Sequence, residues 1–151
     1  MDKEQFIEGI KGFATEQMFT AKELPPALLI LTDKGVGVLP AGEFMGSVEG
    51  KDALAEIISK LRVETDLFCF ITEAWVVKQD DKGQRDLGCA PSEHPDRTEQ
   101  VMLTIYEGTS VEMWVAPILR SGELVELREW ENISRDVQMS GRFMDSPAEF
   151  N

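Results

Sequence analysis

His94 is the only histidine in the chain, and it stands in the segment Pro91-Ser92-Glu93-His94-Pro95-Asp96-Arg97-Thr98-Glu99. An imidazole beside two carboxylates is able to bind a divalent ion or to take up and pass on a proton near neutral pH. The residues that qualify are Glu73, Ser92, Glu93, His94, Asp96, Arg97 and Glu99. If a metal is held, its ligands fall to His94, Asp96 and Glu73. A purely structural reading stands beside this one, and the residues favour it. In it Glu73 and Arg97 form a salt bridge that pins the segment, while His94 is only hydrogen-bonded. The spacing matches no metal motif, a lone histidine excludes multi-histidine sites, and there is no Cys/His set at zinc-ligand spacing. Ser92 lacks the G-x-S-x-G turn that exposes a nucleophile. No catalytic residue and no cofactor is assigned.

These residues need elements to hold them. Two strand-like runs, 67–78 and 101–107, flank a connection at 79–100. Connections longer than about 12–15 residues are uncommon in compact domains and are often functional or disordered. Residues 80–86 read as a hydrated tip. The stretch 91–99 reads as stiffer, with two prolines, a turn bond from Ser92 to the amide of His94, and Asp96 capping a turn through Thr98 and Glu99. Glu73 is out of place on its strand. It shares a face with Leu67, Cys69, Ile71, Trp75 and Val77, where a carboxylate is costly unless paired. Arg97 or His94 is the partner this reading offers.

Glu73-Ala74-Trp75 followed by Pro91-Ser92-Glu93-His94-Pro95-Asp96-Arg97-Thr98-Glu99 resembles a pattern in small bacterial and phage proteins that have no assigned activity. It covers the middle third of the chain. The resemblance implies that the strand and the loop form one unit, and it transfers no functional residue.

Elsewhere, hydrophobic periodicity predicts the elements. Residues 2–19 read as a helix, with Phe6, Ile10, Phe13 and Gln17 on one ridge and Ile7, Ala14 and Met18 beside it. Gly9 and Gly12 weaken it and are taken as points of close packing on a sheet. Residues 27–32 and 36–39 form a hairpin around Asp33-Lys34-Gly35. Residues 51–63 carry Leu54, Ile57, Ile58 and Leu61 at helical spacing, with acids early and bases late, as the helix dipole prefers. Gly50-Lys51-Asp52 fails as a phosphate loop, since Met45 and Asp52 stand where Gly and Ser or Thr are needed. The run 67–78 begins apolar at every position, so it is a central strand buried on both faces. Residues 111–119 and 123–130 follow as strands. Pro117 marks an edge or a bulge. The alternation at 123–130 is poor. Trp75, Trp114 and Trp130 all fall in strands, as core or interface residues. Residues 132–151 are irregular but too apolar for a free tail.

The order α-β-β-α-β-β-β-β predicts an α+β domain spanning 1–151, with a mainly antiparallel sheet and both helices on one face. Part of that order is similar to roadblock-like and profilin-like folds, a likeness that carries no function.

The net charge of −13, with the 15 Lys and Arg scattered among 28 acids, argues against nucleic acid, which selects basic stripes. No apolar run reaches the ~18 residues of a membrane span, and the N-terminus shows no signal peptide. Two cysteines, Cys69 and Cys89, make no disulfide framework and point to a reduced, cytoplasmic protein. The expectation is therefore a non-enzymatic homo-oligomer, in the simplest case a dimer, that also meets a protein partner. The alternative is a small-ligand or divalent-metal-binding protein, or an enzyme, that uses the 91–99 loop.

Overall fold

The computed structural model describes residues 1–76 and 98–134. Among them, two α-helices and seven strands form an α+β fold on one mainly antiparallel sheet. The elements are α1 (Lys3–Ala21), β1 (Ala27–Thr32), β2 (Gly35–Pro40), α2 (Val48–Glu64), β3 (Phe68–Val76), β4 (Thr98–Glu107), β5 (Ser110–Ser121), β6 (Leu124–Leu127) and β7 (Glu131–Asn132). The sheet runs β2-β1-β3-β4-β5-β6, with β7 also paired to β5.

The helices lie on opposite faces of the sheet, not on one. α1 seats Phe6, Ile7, Ile10, Ala14 and Met18 against Leu29, Cys69, Ile71, Val101, Leu103 and Ile105. α2 seats Leu54 and Ile58 against Leu28, Phe68, Phe70 and Tyr106. The unbroken apolar run at the start of β3 demands this. Side chains alternate across a strand, so a strand apolar at every position needs cover on both sides.

Asp2 caps α1 by accepting from the Gln5 amide at 2.8 Å, and Gln5 returns a bond to the Asp2 amide. The pair satisfies two of the helix's orphan N–H groups. The buried stripe of α1 is rotated from the predicted ridge, leaving Phe13 45% exposed. Gly9 and Gly12 face open space, where an added Cβ would meet nothing; they are not contact points. α2 starts at Val48, one turn earlier than its apolar period shows, because Ser47 caps it by accepting from the Gly50 amide at 2.9 Å. Gly50 is required there, since a Cβ would stand 2.5 Å from the Phe44 carbonyl oxygen of the preceding short 3-10 turn. At the other end of α2, buried Arg62 donates through Nε to the Gly108 carbonyl at 3.0 Å and lies 5.4 Å from the Tyr106 ring. Tyr106 in turn stacks on Phe68 at 4.6 Å between centroids.

β5 carries the sheet's most irregular pairing. Ile118 pairs with Leu127, but Val115 pairs with Glu131. The span from 115 to 118 thus faces the longer span from 127 to 131, and the extra residue is a β-bulge opposite Pro117. Pro117 accepts from the Arg128 amide at 2.9 Å on this outer side. Its missing N–H therefore falls where regular pairing has lapsed, and the pairing with β4 keeps its register. The bulge also explains the poor alternation at 123–130. Val125, Leu127 and Trp130 all meet the α1 core, because one extra residue reverses which parity points inward. Trp130 itself lies between β6 and β7, not in a strand.

Candidate functional site

At the far end of the α1 face, three strands and a helix terminus bring opposite charges together. Glu73 and Glu99 are diagonal neighbours on β3 and β4, since Glu73 pairs with Val101 and Glu99 with Trp75. β5 continues past its pairing with β4 and turns Arg120 toward them. The guanidinium holds Glu99 in a fork, Nη2 to Oε1 at 2.6 Å and Nε to Oε2 at 2.9 Å. Nη2 also donates to Glu73 Oε1 at 3.4 Å, and Nη1 to the Lys22 carbonyl at 3.4 Å. The second oxygen of Glu73 accepts from the Leu24 amide at 3.4 Å. Lys22 closes α1 in a left-handed conformation, φ 64°, which turns the chain down to Leu24.

The two carboxylates differ in character. Arg120 holds Glu99 below the usual carboxylate range, against a smaller upward push from burial. Glu73 is held above that range, first by burial and then by the nearby charges of Glu99 and Glu23; the Leu24 amide and Arg120 offset part of this. The Arg120 guanidinium is raised by its bond to Glu99. The cluster therefore has one firmly ionised acid, one firm cation and one acid that takes a proton more readily than usual. Chemically it is a fastening. It joins the end of α1 to β3, β4 and β5, and both oxygens of Glu73 already have partners. Paired surface charges contribute about 0.2–1 kcal/mol, and the forked geometry puts this pair toward the upper end.

Of the sequence-derived site residues, Glu73 and Glu99 are brought together here. Ser92, Glu93, His94, Asp96 and Arg97 lie outside the described residues, as does any pairing of Glu73 with His94 or Arg97. The expected turn through Thr98 and Glu99 is instead the first stretch of β4, so the connection between the strands ends before Thr98. Asn132, the first residue of the segment expected to be irregular, is likewise strand, in β7. Among the described residues no group of three or more His, Cys, Asp or Glu is placed to hold a metal ion. The sequence pattern alone does not single out Arg120, although a signal exists. It shares strand parity with Trp114, Ala116 and Ile118 on the inner face of β5, the same anomaly that singles out Glu73.

The remaining candidates are quieter. Cys69 is fully buried beneath α1, and burial pushes its thiol far up, so it is inert. Cys89 lies outside the described residues. Trp114 donates to Glu112 at 2.9 Å and carries the Lys11 ammonium 3.5 Å above its ring, which accounts for it as a packing residue under α1. A cleft of about 700 Å³ lies between the β1–β2 turn and the α2–β3 connection, lined in part by Ile30, Asp33, Glu64 and Asp66.

No family model, curated protein or solved structure matches this chain. No helix among the described residues is long and apolar enough to cross a membrane.

Proposed function

We propose that the chain is a non-catalytic protein-binding domain that works by self-association and by contact with a protein partner in a reducing, cytoplasmic setting. The observation that carries this reading is β2. Among the described residues the strand Gly35-Val36-Gly37-Val38-Leu39-Pro40 ends the sheet, has no charged side chain, and leaves Val36, Val38 and Leu39 42%, 61% and 38% exposed. An open apolar strand edge is a template for another chain. The free, buried thiol of Cys69 suits the proposed compartment. Light scattering across a concentration series tests the self-association. The expected mass climbs toward twice that of the chain; a constant single-chain mass up to millimolar concentration removes that half of the proposal.

A second reading keeps a ligand or divalent-metal site in the 91–99 segment. Its support is Glu73, whose carboxyl is held above the usual range close to the end of β3, from which the chain enters that segment. A thermal-shift series with divalent cations on the wild type and on His94→Ala tests it. Stabilisation of the wild type alone supports this reading. Equal behaviour of the two proteins removes it.

A further inference from the structure

We infer that the occupant of the β2 edge, whose outer side no described strand covers, is the β2 strand of a second copy, antiparallel across a two-fold axis at Gly37. The inference rests on the self-association reading and specifies its surface.

The main chain sets the register. Ala41 donates to the Pro26 carbonyl on the β1 side, and Gly35, Gly37 and Leu39 pair across to Thr32, Ile30 and Leu28. In an antiparallel pair, alternate residues direct both N–H and C=O to the same neighbour. The odd-numbered residues of β2 therefore face β1. Val36 and Val38 turn their N–H and C=O groups outward, and Pro40 turns out only a carbonyl. Setting Val36 of one copy opposite Val38 of the other satisfies every outward N–H on both strands. Gly37 then faces its own copy on the axis, at the close spacing of a non-hydrogen-bonded pair, about 4.5 Å between Cα atoms. No side chain intervenes there, and a Cβ on Gly37 would meet nothing nearer than the Ile30 carbonyl at 3.9 Å.

The side chains agree with that register. Val36 pairs with Leu31 and Val38 with Leu29, so both valines stand on the α1 face and meet their counterparts as β-branched cross-strand pairs. Charge permits a second copy as well. Two copies of a chain of net charge −13 repel each other overall, but this strand carries no charge. Exposed Lys34 precedes it and exposed Glu43 follows it. The antiparallel arrangement sets Lys34 of one copy opposite the uncharged Pro40 of the other and exposed Asp33 opposite Ala41, so no like charges are paired across the axis. A contact of one short strand per copy is smaller than a standard interface, so the dimer is weak and concentration-dependent.

The test is sedimentation of the full-length wild type, Val38→Pro and Val38→Lys, with thermal melts of all three as a control on folding. Proline at 38 deletes an outward N–H and leaves the bonds to β1 in place, a position where edge strands accept it. It removes half of the main-chain bonds across the axis, and at least about tenfold weaker dimerisation is expected. Lysine at 38 sets like charges across the axis and is expected to weaken the dimer comparably. A wild-type dimer that both folded variants lose supports the inference. A wild-type dimer that both retain overturns this surface and leaves self-association standing. A wild type that stays monomeric overturns both.

Discussion

The two edges of this sheet solve the same problem in opposite ways. At one edge the terminal strands β6 and β7 are short and carry Glu126 and Glu131, β5 inside them absorbs their mismatch with a bulge and Pro117, and α1 packs on β6. At the other, β2 has a charge-free sequence and exposed valines, and no described strand covers its outer side. Strand edges attract other strands, and proteins usually blunt them with charge, proline, bulges or cover. The first edge uses proline, bulge and cover together. The second uses none of these until Pro40 ends it. That contrast is the support for proposing the β2 edge as an interaction surface.

The closed edge is the more sensitive to damage. Deleting Glu129 would remove the extra residue of the bulge and restore a regular register to Trp130, Asn132 and Ile133. A one-residue slip sends side chains to the wrong face. Trp130 would leave the α1 core, and Ile133 would leave Met113 and Val115. The expected loss is about 2–4 kcal/mol, measured by urea unfolding. Equal stability of the deletion variant would show that the bulge does not set which residues face the core.

The ionic cluster ties the α1 end of the closed side to three strands, and its acids titrate in opposite senses. The folded-state pKa of Glu73 is raised from 4.5. The folded protein therefore holds this proton more tightly than the unfolded chain. Its contribution is full below pH 4.5 and is lost as pH rises through the raised value. Glu73→Gln removes this dependence. The stability of Glu73→Gln relative to wild type is expected to rise from pH 4 to pH 7, measured as the difference in melting temperature. A difference that falls over this range would contradict the assignment of Glu73 as the readily protonated acid.

The smallest effect concerns α1 as a cover. Gly12 faces open space within the helix. Gly12→Ala is expected to add about 0.5–1 kcal/mol, read from the same unfolding curves, because it lowers the entropy of the unfolded chain without a clash. Destabilisation by Gly12→Ala would mean that the glycine serves a contact after all.

The legibility of the sequence follows the range of each signal. Helix periods, the β1–β2 hairpin and the central position of β3 are local, and they read directly from Leu54, Ile57, Ile58 and Leu61, from Asp33-Lys34-Gly35 and from 67–71. The helix start at Ser47 was hidden because glycines on both sides of it resemble a loop. The bulge was visible only as a failure of alternation: Val125 and Trp130 disagree in parity, and a pattern reading has no means to place an inserted residue. Pro117 did point to it. Glu73 stands out as a carboxylate in need of a partner, but its described cation, Arg120, comes from two strands further along the chain. Which strands are neighbours is a property of the sheet order, and period-two patterning does not carry it. The opposite placement of the helices was implied by the apolar start of β3, which is incompatible with a sheet covered on one face.

The most direct test of the contrast between the edges is residue-resolved amide exchange of β2 at low and high protein concentration. Gly37 and Leu39 donate toward β1 and are expected to be protected in the monomer, while the amides of Val36 and Val38 point away from β1 with no described strand to receive them. The account predicts that raising the concentration slows exchange at Val36 and Val38 and leaves Gly37 and Leu39 unchanged. Concentration-independent exchange at Val36 and Val38, in a sample shown to self-associate, would contradict it and place the contact elsewhere on the molecule.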